Sequence, residues 1–212
     1  MGQDRFANGF WYVASLGSTA ANGLQFHARW KLWNPRVSYY PGALNQSFGF
    51  LRKEFDQVVP DYFVALLHKK LIGDGAALTV QQGNNPGVLA WAHCPSRAHN
   101  LATAPRDLAA NFVLMFTNPL NISVNATIIT GSSLPTQVFE EYILTATDKQ
   151  AGVLSVFASL NGGEALALDA DGKPPALDGR RRESSTGTVP LPPESYGFIV
   201  GKGAALRACV PI

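Results

Sequence analysis

Cysteine is scarce in this chain: 212 residues include Cys94 and Cys209 and no others. Two cysteines exclude a small fold stapled by many disulfides. They leave open one bridge or two buried thiols. Composition leans toward thiols, because no export signal is visible. Met1–Arg5, MGQDR, does not lead into the short apolar core of a signal peptide. Nor does any apolar run approach the roughly 20 residues of a membrane span. Charge is also sparse, at 15% of residues with a net of +2. That balance gives no reason to expect a nucleic-acid partner. His27, His68, His93 and His99 form no pair at metal-ligand spacing. With the cysteines far apart, a zinc site is not expected. There is no P-loop, no dinucleotide fingerprint, no internal repeat and no heptad pattern, so no cofactor is expected.

What is present is a globular, rather apolar chain, 46% hydrophobic. One stretch divides it. Val59–Gly73 reads as a helix, with Tyr62, Phe63, Leu66, Leu67 and Leu71 at helical spacing. Asp61 is the expected N-cap, Lys69 and Lys70 suit the negative end of the helix dipole, and Gly73 is placed to end it. Upstream, Phe6–Leu16 reads as another helix, bounded by a break that Gly17 and Gly23 bracket. Leu24–Trp33 alternates as a strand, and Asn34–Gln57 shows no clear period. Downstream the reading is β. Candidate strands are Ala76–Gln82, Val88–Cys94, Asn111–Thr117, Asn121–Ile129 and Val138–Thr145. Gly83–Gly87 is a strong turn between the first two. Phe112–Phe116 is apolar throughout, as a central two-sided strand would be. Asn161-Gly162-Gly163 signals a hairpin between Leu154–Leu160 and Glu164–Leu168. Ala170–Ser195 reads as a long loop, with Tyr196–Val200 and Leu206–Val210 as closing strands. Short strands with regular turns predict a sandwich.

Chemistry-bearing residues are few. Arg180-Arg181-Arg182 read as solvated loop arginines, with sulfate or carboxylate binding as the sharper alternative. Arg29 either holds an acidic substrate or salt-bridges a neighbour. Trp30, Trp33, Tyr39 and Tyr40 either stack on sugar or pack locally. No two glutamates stand in an obvious acid-and-nucleophile arrangement, which glycoside hydrolysis needs. Three N-x-S/T sequons begin at Asn45, Asn121 and Asn125. Alternation along Asn121–Ile129 puts Ile122, Val124, Ala126 and Ile128 on one face and both asparagines on the other, where glycans need to be. An exposed strand decorated with Asn and Thr for its own sake reads the same way.

Several pieces occur in a telling order. They are Phe6-Ala7-Asn8-Gly9-Phe10-Trp11 with Leu16-Gly17, Arg29, Pro60-Asp61-Tyr62 with Leu66-Leu67, and Lys70-Leu71-Ile72-Gly73. Ala92-His93-Cys94, Glu141-Tyr142-Ile143-Leu144-Thr145, Leu160-Asn161-Gly162 and Ala208-Cys209 follow. Over nearly the whole chain this set resembles the C-terminal part of the heparanase and heparanase-like proteins, glycoside hydrolase family 79. The resemblance implies a fold of class α/β plus all-β. Residues 1–75 would be the end of a TIM barrel (helix 7, strand 8, helix 8), and residues 76–212 a C-terminal β-sandwich. It implies export, a lysosomal, vacuolar or extracellular location with peripheral membrane association, glycosylation at the sequons, and a Cys94–Cys209 disulfide.

The family's activity is retaining hydrolysis of β-glucuronosyl bonds by two glutamates. By the resemblance both lie upstream of what this chain contains, so the chain alone is expected to be inactive without the rest of the barrel. The implied partner is a glucuronic-acid-containing polysaccharide or a glucuronide, touched weakly by Arg29, Trp33, Tyr39 and Tyr40. Glu54 is the glutamate nearest the expected cleft, and the family motif gives it no role. Where the family has a glycine-containing turn and Asn-Tyr after strand 8, this chain has Asn34-Pro35-Arg36-Val37-Ser38-Tyr39-Tyr40. Tyr39 or Tyr40 stands in for the family tyrosine. The competing expectation is a non-catalytic, secreted glycan-binding or structural sandwich module.

Overall fold

The computed structural model describes residues 5–24, 31–33, 49–51, 58–80, 82–83, 85–96, 110–129, 137–203 and 206–209. Helix α1 runs Ala7–Ala21 and therefore passes through Gly17 instead of breaking there. The reason lies elsewhere in the chain: a Cβ at Gly17 would fall 2.2 Å from the Trp91 ring, so this glycine admits a neighbour. The helix ends where Asn22 donates back to the Ser18 carbonyl and Gly23 takes φ +75°. Helix α2 runs Pro60–Leu71. Asp61 is not its N-cap. Val59 holds that position and Pro60 occupies the first turn, where its missing N–H costs nothing. Asp61 is instead inside the helix and fully buried. Gly73 takes φ +50° and donates to the His68 carbonyl, ending α2 as expected. Between the helices, β1 (Lys31–Trp33) and β2 (Gly49–Leu51) pair in parallel. The strand β2 falls in a stretch expected to lack regular structure.

The rest is dominated by one antiparallel sheet. Its strands are β3 (Ala77–Leu78), β4 (Leu89–His93), β5 (Ala110–Asn118), β7 (Gln137–Ala146), β8 (Ala158–Leu160), β9 (Arg180–Ser184) and β11 (Ser195–Lys202). They lie in the order β3-β4-β5-β11-β7-β8, and β9 also pairs with β7. A separate ribbon pairs β6 (Val124–Thr127) with β10 (Thr188–Leu191). Among the described residues the architecture is thus mostly β-sheet with two α-helices.

The alternation of β5 explains the layering. Val113 and Met115 join a core with Phe6, Val13, Leu16, Phe63, Val64 and Leu67 of the helical side. Phe112, Leu114 and Phe116 join a second core with Val189 and Leu191 of β10 and with Ala126 and Ile128. Helices cover one face and the ribbon covers the other, which is why β5 is apolar at every position from Phe112 to Phe116. On the helical face Tyr196 is wholly buried, stacked on Phe6 at 4.5 Å and edge-on to Phe10 at 4.9 Å. Its ring fills the space that a side chain at Gly9 would take: a Cβ there would lie 2.0 Å from Cζ. Burial raises the Tyr196 hydroxyl well above its usual pKa, and the nearby Asp61 carboxylate adds to that.

Further expectations need correction, among them the strand at Glu164–Leu168, which is reduced to an isolated bridge at Ala165. Ala170–Ser195 is not one loop: it holds β9 and β10. The segment at Leu206–Val210 is a 3-10 turn over Arg207–Cys209, not a strand. Leu154 belongs to a 3-10 turn, so only Ala158–Leu160 of its expected strand pairs. The strand at Asn121–Ile129 is shorter, Val124–Thr127, and Ile122 lies outside it and is exposed. Cys94 and Cys209 are joined as a disulfide with Cα atoms 5.3 Å apart and a sequence separation of 115. A loop of that length contributes roughly 4–5 kcal/mol in the chain-entropy treatment.

Candidate functional site

The C-terminal ends of α1 and α2 diverge over β3 and β4 and leave a cavity of about 910 Å³. Its wall includes Leu16, Trp91, Asp74, His68 and His93. His93 projects from β4 toward α2 and is buried, with its ring edge-on to that of His68 at a centroid distance of 6.3 Å. Desolvation lowers the pKa of His93, and the Gly75 carbonyl opposes part of that shift. A neutral imidazole in such a wall is a hydrogen-bonding surface. Among the described lining residues, Asp74 is the one carboxylate. Among the described residues no group of three metal-ligating side chains comes together.

The strongest electrostatic feature lies on the ribbon side of the sheet. Glu141 of β7 is completely buried. Strand β9 runs beside it so that Arg180 stands opposite Glu141 and Arg182 opposite Phe139. Arg180 donates to Glu141 Oε2 from Nε at 3.0 Å and from Nη2 at 2.8 Å. Arg182 donates to Oε1 through Nε. Arg181 points the other way and pairs with Glu183 at 2.8 Å. The three arginines are therefore neither loop residues nor simply solvated, since two of them hold one buried carboxylate. Sequence reading missed this because the partner lies 39 and 41 residues away.

Glu140, next in sequence, faces the helical side. It pairs with Lys202 at 2.8 Å and accepts from the Tyr142 hydroxyl at 3.0 Å. Burial, and then the Glu140 charge, raise the pKa of that phenol far above its ordinary range. Lys70 of α2 lies over the Tyr142 ring and donates to the Leu177 carbonyl at 2.5 Å. Retaining glycoside hydrolysis needs two carboxyls about 5–5.5 Å apart across one bond. Glu140 and Glu141 cannot serve, because adjacent strand residues point to opposite faces.

Of the residues singled out in the sequence, Arg29, Tyr39, Tyr40, Asn45 and Glu54 lie outside the described residues, and Trp33 is described as backbone in β1. Asn121 and Asn125 are both exposed, the first in a bend and the second on β6. The structure brings none of the described residues among these next to the cavity.

No family profile matches the chain. Heparanase of Bos taurus is 27% identical over 209 residues, covering 97% of this chain and 34% of the relative. Heparanase-like protein 1 of Arabidopsis thaliana is 27% identical over 227 residues, covering 97% and 38%. Inactive heparanase-2 of Homo sapiens is 27% identical over 216 residues, covering 97% and 33%. A solved GH30 endoxylanase from Clostridium papyrosolvens aligns with a TM-score of 0.49 at 14% identity, covering 96% of this chain and 40% of that one. A likeness at that level decides nothing about activity. This chain spans about a third of the length of the curated relatives it matches. Similarity to heparanases over almost the whole chain supports its reading as a heparanase-like C-terminal portion.

Proposed function

We propose that this chain is the C-terminal part of a heparanase-like glycoside hydrolase of the β-glucuronidase or endo-β-glucuronidase type, and that it brings neither catalytic glutamate to the reaction. The likeness to heparanases over 97% of the chain carries the reading. Residues 1–75 form the end of a TIM barrel, with α1 as helix 7, β1 within strand 8 and α2 as helix 8. Residues 76–212 form the sandwich. The parallel pairing of β1 with β2 supports this, since barrel strands are parallel. The partner is a glucuronic-acid-containing polysaccharide or glucuronide, contacted weakly by Arg29, Trp33, Tyr39 and Tyr40. The chain acts outside the cell or in a lysosomal or vacuolar compartment, peripheral to membranes, and carries glycans on its sequons.

The purified chain, incubated with an aryl β-glucuronide and with heparan sulfate, is expected to show no turnover above a blank. Turnover that disappears in Glu54→Gln would overturn the reading. The likeness to inactive heparanase-2 favours a second reading, a non-catalytic glycan-binding or structural chain. Co-expression with the upstream part of the barrel separates the two: restored hydrolysis supports the first, and saccharide binding without hydrolysis supports the second.

A further inference from the structure

From Leu108 to Phe139 the chain carries no charged residue. This stretch contains β6, which pairs with β10, and no described strand lies along its second edge. Exposed Ile122 (58%) and Ile129 (87%) flank it. Strand edges of this kind invite pairing with another chain, and proteins ordinarily blunt them with lysine or another charge. The outward residues here are Asn125 and Thr127 of β6 with Thr188 and Pro190 of β10. Thr127 and Thr188 share a hydrogen bond at 3.1 Å, and Thr186 continues the row to Thr188 at 3.0 Å. Asn125 is exposed in the middle of the edge. Thr127, two positions on, stands on the same face, so the sequon is displayed as a unit.

We infer that Asn125 is an N-glycan acceptor and that its glycan does for the β6 edge what charge does elsewhere, blocking strand addition from a second molecule. The inference rests on the proposed export of the chain. The donor is an oligosaccharide joined through its anomeric carbon to a lipid diphosphate. Asn125 Nδ2 attacks that carbon, and the bond from carbon to diphosphate oxygen breaks. The electron pair leaves on the lipid diphosphate, and Nδ2 gives one proton to a base of the transferase. The N-linked sugar then projects from a mid-strand position, bulky and hydrated.

The test uses the full chain secreted from a eukaryotic cell. N-glycans are removed by amidase in heavy-oxygen water, and the peptide containing residue 125 is sequenced by mass spectrometry. Conversion of Asn125 to labelled aspartate is expected. An unmodified Asn125, with or without occupancy of Asn121, overturns the site. Glycan mapping does not depend on hydrolysis, so this failure is distinct from failure of the enzymatic reading. Next, Asn125→Gln is expected to lose one glycan in mass and most of its monomer peak on size exclusion. Asn125→Asp also loses the glycan but places a charge on the edge, and is expected to recover the monomer. Thr127→Ser keeps the sequon and is expected to behave as the parent. Asn125→Gln as monomeric as the parent, or Asn125→Asp as aggregated as Asn125→Gln, overturns the shielding role.

Discussion

The two faces of the central sheet are covered in different ways. On the helical face, aromatic rings drop into gaps left by glycines: Tyr196 against Gly9 and Trp91 against Gly17. Helices are wide, and their smooth glycine notches let the sheet's rings reach the helix axis. On the other face the cover among the described residues is the two-stranded ribbon of β6 and β10. Phe112, Phe116 and Ile143 lie in the core with Val189 and Leu191 of β10. Glu141 points to this face as well, and two arginines from β9 neutralise it. The same strand β7 thus packs Tyr142 and Leu144 on the helical face and carries both Ile143 and the Glu141 clamp on the other, by alternation alone. Where a cover is thin, polar chemistry completes it.

The largest expected break in that comparison is at the clamp. The double variant Arg180→Ala with Arg182→Ala leaves the buried carboxylate without its two cations, a loss of about 3–5 kcal/mol. Urea unfolding should show it, and adding Glu141→Leu should recover most of the loss. If the triple variant is no more stable than the double, the cost comes from lost packing of the arginine stems.

Next in size is Gly9→Ala on the helical face. Its methyl meets the Tyr196 ring, and overpacking of this kind costs about 1–3 kcal/mol. Ser185→Ala, exposed in the turn between β9 and β10 beside the ribbon, should stay within about 0.5 kcal/mol. Equal midpoints for the two variants would mean that the helical notch has room to relax.

The smallest effect concerns pH. His93 is held neutral by burial and its folded pKa is lowered. The unfolded chain therefore takes up its proton first as pH falls. The stability from neutral His93 is complete above about pH 6.5 and is lost as pH falls from there through the lowered folded value. Thermal unfolding across that window should show the fall, and His93→Gln should flatten it. His68 and Asp74 border the same cavity, and a fall unchanged in His93→Gln would assign the dependence to them.

Helix α2 and the central strand β5 were legible because their signals are local: apolar spacing over a few residues, and an unbroken run between turns. Gly83–Gly87 announced the β3–β4 hairpin for the same reason. Gly17 misled because a glycine inside a helix looks like a stop until Trp91 is placed against it. Asp61 misled because Pro60 already starts the helix, and the carboxylate's setting near Tyr196 depends on a strand more than 130 residues away. The arginines of β9 read as loop because their partner Glu141 is remote. The catalytic assignment stayed closed for a chemical reason: no local pattern pairs two carboxylates, and the described glutamates of β7 face apart.

The disulfide has a mechanical consequence. A pulling force applied at the two ends of the chain travels from the helices to Cys94, crosses the sulfurs to Cys209 and bypasses the segment between them. Strands β5 to β11 lie off that covalent line, and β5 is loaded only while paired β4 is peeled from it. Extension of the oxidised chain would reel out the helical part and β3–β4, then stop. Reduction would release a further contour length on the order of 400 Å at about 3.5 Å per residue. The sheet is thus a sealed coil on the line of tension, opened by chemistry and not by force.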